Sequence, residues 1–471
     1  MILFLPELAL SLMILVFFSV SLATPNQKQL QGMGLFLSAL AVAASVYTYG
    51  QNGTLFFDAY RIDAFSQLFK IIITFGLFIV IYLGQGLSGI GTTLKPEYYL
   101  FLTLSAFGLA CMSSAVELIT IILCLEIASF ALFIIIPFRK HGAYRKPMEA
   151  GIKYVLFGAA ASGISLYGIS YIFGMTHTTY LLDLVCIIPG MIFKQPLIII
   201  GLVMLLCGFF YKLALFPMHF WAPDVYEGAA NETSSFVATL PKVGAVALLI
   251  RLIFLAGVDS AQFTWVLVIL AVLSMTFGNL SALVQTDIKR LLAYSSIAHA
   301  GYIMVGLVCA TELGFVSGIY YIAGYLVMNL ACFFVIYNLA PNGKNISFDD
   351  FKGLYKRSPL LAFTLAVGAF GMAGIPPTIG FTGKLFLFTA AIKKDMYALV
   401  ILAVINTGVA VFYYLKMVRA AYSSVPSPMP KIQLKFSTTL LGIFFIVIIL
   451  YLGTFPQGFI DVAKEAVAAA I

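Results

Sequence analysis

Apolar runs of about twenty residues, separated by short polar breaks, recur along the whole chain, and that is the length a bilayer's hydrocarbon core demands of a helix. Such segments cannot stay in water, and in lipid each must close its own backbone hydrogen bonds, which a spanning helix does. The runs fall near residues 1–23, 33–50, 64–85, 99–114, 115–138, 150–174, 196–228, 235–256, 263–285, 291–309, 313–339, 359–392, 396–421 and 436–455. That pattern predicts an all-α polytopic membrane protein of about fourteen transmembrane helices. Composition excludes a soluble alternative, with 62% hydrophobic and only 10% charged residues. The net charge of +8 is therefore read by topology and not as a nucleic-acid footprint. The first run lacks a basic leader and carries Glu7, so it is expected to be a retained span, not a cleaved signal peptide.

Two runs, 196–228 and 359–392, are too long for one straight span at about 1.5 Å per residue. The first contains Pro217 and Pro223, the second Pro376 and Pro377, so both read as broken helices. They are the seventh and twelfth spans, five apart, and an odd repeat reverses orientation. Spans 4–8 and 9–13 are thus expected to form two inverted five-helix repeats, against the alternative of two unrelated kinks. One membrane domain, 1–471, would comprise three N-terminal spans (1–90), a first antiporter-like repeat (99–256), a second (263–421), and a C-terminal span and tail (436–471).

Alternate loops differ in basic residues. One side gathers Lys28, Lys95, Arg139, Lys140, Arg145, Lys146, Lys289, Arg290, Lys344, Lys352, Lys356, Arg357, Lys431 and Lys435. The other holds little beyond Arg61, Lys194, Lys393, Lys394 and Lys464. The positive-inside rule then puts the 139–146 loop in the cytoplasm and both termini on the outer, periplasmic face of a bacterial inner membrane.

The chemistry lies in ionisable residues inside the spans. Lys212 stands near the middle of an apolar stretch, five residues before Pro217, with His219, Asp224 and Glu227 following. A charged amine at bilayer depth is expensive, and is kept for ion movement or for a fixed partner. Glu126, Lys153, Lys242, His299 and Lys384 extend the row, which reads as a proton relay. Each member has a plainer reading. Lys153 can snorkel to the interface with Glu149, four residues earlier, as partner. Asp224 and Glu227 either draw protons to a mouth or cap the break. Lys289 and Arg290 are expected as interfacial anchors and Arg251 as an outward snorkel, while Glu7 and Lys70 stay unassigned. Six scattered cysteines with no C-x-x-C spacing exclude an iron–sulfur or zinc site, and His219 and His299 are the one intramembrane histidine pair. No cofactor is expected on this chain.

Residues 212–229, KLALFPMHFWAPDVYEGA, resemble the seventh-span signature of the antiporter-like subunits of respiratory complex I, the proton-pumping NADH:quinone oxidoreductase. GNLSALVQTDIKRLLAYSSIAHAGYIMVG (278–306) is similar to the ninth-to-tenth-span signature, and LPE (5–7), EAGIKYVLFGAAASGISLYG and GIPPTIGFTGK extend the likeness over most of the chain. WAPDVYEG sets it apart from subunits L and M and from the Mrp antiporters, which usually read WLPDA, and Lys384 sets it apart from subunit M, which is expected to have a glutamate there. The resemblance implies a switching pair, Glu126 and Lys212, with Lys153 beside it, driving protons through Lys242 and His299 to Lys384. It also implies partner subunits that hold NADH, FMN, iron–sulfur clusters and quinone. The membrane neighbours would be antiporter-like subunit M on one side and subunits K and J on the other, in a lipid bilayer, with no nucleic acid. One departure stands out: where the family usually continues with a Pro-Thr-Pro-like run, this chain reads ANETSSF and adds Glu232. Competing readings are a Mrp-type cation/proton antiporter subunit and a membrane transferase for lipid-linked substrates. The latter would need charges clustered on a sizeable interfacial loop.

Overall fold

The computed structural model describes residues 2–23, 27–84, 86–140, 145–192, 194–256, 260–340, 343–424 and 430–470. Among these the chain forms twenty α-helices: α1 Leu5–Ser21, α2 Gln27–Tyr47, α3 Ala64–Leu83, α4 Lys95–Ser114, α5 Leu118–Ile135, α6 Arg145–Thr176, α7 Leu181–Met191, α8 Pro196–Leu213, α9 Trp221–Gly228, α10 Asn231–Ile253, α11 Ala261–Leu283, α12 Ile288–Leu307, α13 Glu312–Leu339, α14 Phe348–Phe351, α15 Leu354–Arg357, α16 Pro359–Ala373, α17 Ile379–Ile392, α18 Tyr397–Tyr422, α19 Phe436–Thr454 and α20 Gln457–Ala470. Eleven stretches are long and apolar enough to cross a membrane. Helices α4 and α12 stand where the fourth and tenth runs were read, and the α8–α9 and α16–α17 pairs where broken spans were expected.

Helix starts are set locally. Asp63 and Ser66 form a reciprocal capping box at the head of α3, and the Glu117 carboxylate accepts from the Ile119 and Thr120 amides at the head of α5. Pro196 and Pro359 open α8 and α16, where a missing amide hydrogen costs nothing.

Both breaks are real. Helix α8 stops at Leu213 with Ala214 left-handed at φ 60°, and the chain resumes as α9. Helix α16 stops at Ala373 with Gly374 at φ 85°, and α17 follows from Ile379. The Phe216–Pro217 and Pro376–Pro377 peptides within these breaks are cis. A Cβ at position 380 would collide with the Gly371 carbonyl, so Gly380 allows α16 and α17 to meet end to end.

Two helices form the centre. The apolar window of α10 is 100% buried and that of α13 94%, whereas α2, α6, α11, α18 and α19 keep most of theirs open to the surroundings. Helix α10 packs on α3, α4, α8, α12 and α13. Helix α10 is enclosed on every side, so its polar residues stand in the middle of the molecule.

Three details differ from the sequence reading. Gly53–Leu55 and Tyr60–Ile62 pair as an antiparallel hairpin between α2 and α3. The loop after α6 contains α7, and the C-terminal tail folds as α20 against α3 and α13, because its alanines and Val467 supply an apolar stripe. The basic 139–146 loop falls partly outside the described residues, since 141–144 are not among them.

Candidate proton-transfer site

The break after α8 leaves carbonyls that no intrahelical amide can reach. Lys212, one residue before the end of α8, is fully buried, and its Nζ has no hydrogen-bond partner, lying 5.9 Å from the Tyr154 ring centre. Glu126 on α5, half-buried, also leaves Oε1 without a partner. The expected pair is therefore apart in this conformation, although the carboxylate is near enough for its charge to act on Lys212.

Lys242 on α10 takes up the slack left by the break. Its Nζ donates to the Leu213 carbonyl at 2.8 Å and to Ser296 Oγ at 3.1 Å, and Ser296 Oγ lies 3.2 Å from the Tyr226 hydroxyl. Lys384 repeats the arrangement at the second break. Its Nζ donates to the carbonyls of Met372 and Ala373 at 3.2 and 3.1 Å, with the Tyr302 ring centre 4.5 Å away. Each lysine thus sits at the negative C-terminal end of an interrupted helix, where freed carbonyls favour a cation.

His299 on α12 lies between them, 2% exposed. Nδ1 is 2.7 Å from the Tyr321 hydroxyl and Nε2 3.0 Å from that of Tyr414, so both ring nitrogens are taken by protic groups. Lysine, serine, tyrosine and histidine side chains here make a polar interior across α8, α10, α12, α13, α17 and α18. Its groups can both accept and donate protons.

The secondary candidates gather at one end. Lys153 pairs with Glu149 at 2.7 Å and with Asp224 at 2.5 Å, and Arg290 pairs with Asp224 at 2.6 Å and Glu227 at 2.9 Å. Lys146 closes the set on Glu227 at 2.9 Å, around a hollow of about 210 Å³. These side chains are partly exposed, so each pair contributes on the order of 0–1 kcal/mol. His219 stacks between Phe216 and Phe220, 7% exposed, with Nδ1 unpartnered.

Several residues sit elsewhere than expected. Arg290 is no free anchor but the bridge between both α9 carboxylates. Lys289 is buried and donates to the Ala229 carbonyl at 2.8 Å, because the turn before α12 folds inward over α9. Arg251 does not snorkel; it grips Asp63 at 2.9 and 3.0 Å, with 6% exposure. Glu7 and Lys70, unassigned from sequence, form an ion pair at 2.6 Å with both side chains almost wholly buried, and the Tyr60 hydroxyl donates to Glu7 at 2.6 Å. Among the described residues no group of three or more His, Cys, Asp or Glu side chains is placed to hold a metal.

Broken helices with lysines on their freed carbonyls define the architecture of antiporter-like membrane proteins, and comparison with known proteins agrees. The sequence model for the family described as NADH:quinone oxidoreductase/Mrp antiporter, TM, matches residues 115–410. NADH-quinone oxidoreductase subunit N 2 of Opitutus terrae is 45% identical over 99% of this chain and 97% of its own. Subunit N 2 of Solidesulfovibrio magneticus is likewise 45% identical, over 98% and 97%. A chain of respiratory complex I from Thermus thermophilus superposes with TM-score 0.84 at 28% identity, covering 97% of this chain and 98% of that one. A chain of the Mrp complex from a Dietzia species shares the fold, with TM-score 0.87 over 98% and 96% at 18% identity. The chain belongs to the NADH:quinone oxidoreductase/Mrp antiporter transmembrane family, and within it to the multi-pass subunits N of NADH-quinone oxidoreductase.

Proposed function

We propose that this chain is a proton-translocating membrane-arm subunit of NADH:quinone oxidoreductase and moves protons along Glu126, Lys212, Lys242, His299 and Lys384. The observation that carries the reading is the double use of helix breaks: Lys242 on the Leu213 carbonyl and Lys384 on those of Met372 and Ala373. An ammonium holds such a carbonyl more tightly than a neutral amine, so the charge of each lysine is linked to the geometry of a break. When Glu126 approaches Lys212 it favours the ammonium, and when it withdraws the proton is free to pass inward. Tyr226, Ser296, Tyr321 and Tyr414 supply hydroxyls between the lysines and His299.

On this reading the chain crosses the bilayer about fourteen times, its two breaks belong to inverted repeats, and both termini face the periplasm. Lys153, Glu149, Asp224, Glu227 and His219 line the cytoplasmic approach. Subunit M would lie on one side and subunits K and J on the other, in a bacterial inner membrane. NADH, FMN, iron–sulfur clusters and quinone belong to partner subunits. This chain supplies the proton path of a translocase and no redox step.

The test is NADH-driven proton uptake by inverted vesicles carrying the assembled complex with Lys242→Ala or Lys384→Ala. Loss of uptake with retained assembly supports the relay. Wild-type uptake by both variants would falsify it.

A further inference from the structure

We infer that Glu232 is a second cytoplasmic proton-loading site, delivering along one face of α10 to Lys242 without passing through Glu126 and Lys212. This rests on the reading of Lys242 as a relay group.

Helix α10 is wholly buried, yet its first half is polar, with Asn231, Glu232, Thr233, Ser234, Ser235 and Thr239 preceding Lys242. Four of these residues share a face. Glu232, Ser235, Thr239 and Lys242 are spaced three, four and three apart, the spacing of one helical stripe. From first to last the stripe rises about 15 Å.

The Glu232 carboxylate is only 2% exposed. One oxygen accepts the Gly89 amide at 3.2 Å, and the other, Oε2, has no partner. Lys289 and Arg139 are close enough for their charges to act on it. The Ser235 and Thr239 hydroxyls each donate to a backbone carbonyl at 2.7 Å, which leaves their oxygen lone pairs free. On the facing helix α13, Asn329 donates to the Tyr325 hydroxyl at 2.8 Å while its own buried Oδ1 has no partner. The Tyr325 ring is in turn 6.0 Å from Lys242 Nζ.

A way in exists. A cleft of about 380 Å³ is lined by Ser88, Tyr337, Gln433 and Lys435, on the side where basic loops gather. Ser88 adjoins Gly89, and the Tyr337 phenol lies within reach of the Glu232 charge. A proton leaves water in the cleft and binds Glu232, converting carboxylate to acid. It then passes along the hydroxyls, with water between them, each oxygen taking one proton and releasing another. The neutral Lys242 amine accepts the last and becomes an ammonium, and Glu232 is a carboxylate again.

The plainer role for an acid in a first turn is to complement the helix dipole. Glu232→Gln separates the two, because the amide oxygen still accepts from Gly89 but the side chain no longer titrates. The readout is NADH-driven proton uptake per assembled complex in inverted vesicles, with assembly followed by native electrophoresis. Glu232→Gln and Thr239→Val should each slow uptake severalfold, Glu232→Asp should keep most of it, and Thr233→Val, off the stripe, should leave it unchanged. Lys212→Ala runs alongside. If Lys212→Ala abolishes uptake while Glu232→Gln and Thr239→Val pump normally, the second inlet is refuted and the proposed function stands. If all three pump normally, the proposed function itself falls. Should Glu232→Gln fail to assemble, Thr239→Val decides: slowed uptake upholds the inlet and normal uptake overturns it.

Discussion

Lys242 holds the carbonyl of Leu213 across 2.8 Å, and so ties the centre of one helix to the broken end of another. A hydrogen bond from a charged donor is worth about 1.5–3 kcal/mol. Gain or loss of one proton at Lys242 therefore changes how firmly the α8 break is held. Chemistry and backbone meet at that single contact.

Lys242→Gln retains an N–H for Leu213 but cannot carry a proton near neutral pH. The complex should assemble at normal levels and lose nearly all proton uptake. Uptake close to wild type would mean that Lys242 serves only to cap the break.

Lys212 has neither a hydrogen bond nor an ion pair here, so removing it strands no buried partner. Lys212→Ala should leave assembly intact and lower pumping to what the Glu232 inlet alone delivers. Lys212→Arg should do the same, because arginine keeps its proton at any physiological pH. A fully assembled Lys212→Arg complex that pumps normally would rule out proton carriage at this position.

Arg251 predicts the opposite pattern. Truncating it leaves the buried Asp63 with only the longer pair to Arg61 Nε at 3.5 Å, and breaking a buried pair costs up to about 3–5 kcal/mol. Arg251→Ala should therefore lower the amount of assembled complex on native gels, with near-normal uptake by what remains. An unchanged yield would show the pair to be dispensable.

Asp287, in the turn before α12, caps that helix by accepting from the Arg290 amide at 2.9 Å. Burial pushes its carboxyl up from the usual range. The folded chain then holds this proton to a higher pH than the unfolded chain. The contribution favours the native state below about pH 4 and is lost as pH rises through the raised value. Asp287→Asn keeps a capping oxygen and should flatten this part of the pH dependence of thermal stability. An unaltered slope would place the titration elsewhere.

How much of this was legible beforehand depends on whether the cause was local. Pro217 and the Pro376–Pro377 pair announced both breaks, since proline acts on its own helix. Lys212, Lys242, His299 and Lys384 were visible because charge inside an apolar run stands out whatever surrounds it. Partners were not visible. Arg251 meets Asp63 from 188 residues away and Glu7 meets Lys70 from 63, contacts that only the packing of α1, α3 and α10 creates. Lys289 was misplaced for a related reason: a basic residue beside a turn usually faces water, and here the turn folds over α9. Whether Glu126 and Lys212 touch depends on how their helices pack, which no local residue pattern encodes.

The burial of α10 on every side bears on how the chain is made. During synthesis this helix leaves the insertion machinery carrying Glu232, Lys242, Arg251 and an internal Pro241. A charged residue near a helix centre costs about 2.5–3.5 kcal/mol on insertion scales. Of the helices that finally enclose it, α3, α4 and α8 have already been made, whereas α12 and α13 have yet to emerge. Asp63, waiting on the finished α3, can receive Arg251 at once. Lys242 must wait for Ser296 on α12. The helix destined for the centre thus arrives before two of these five walls, and the early-made N-terminal spans are its first shelter from lipid.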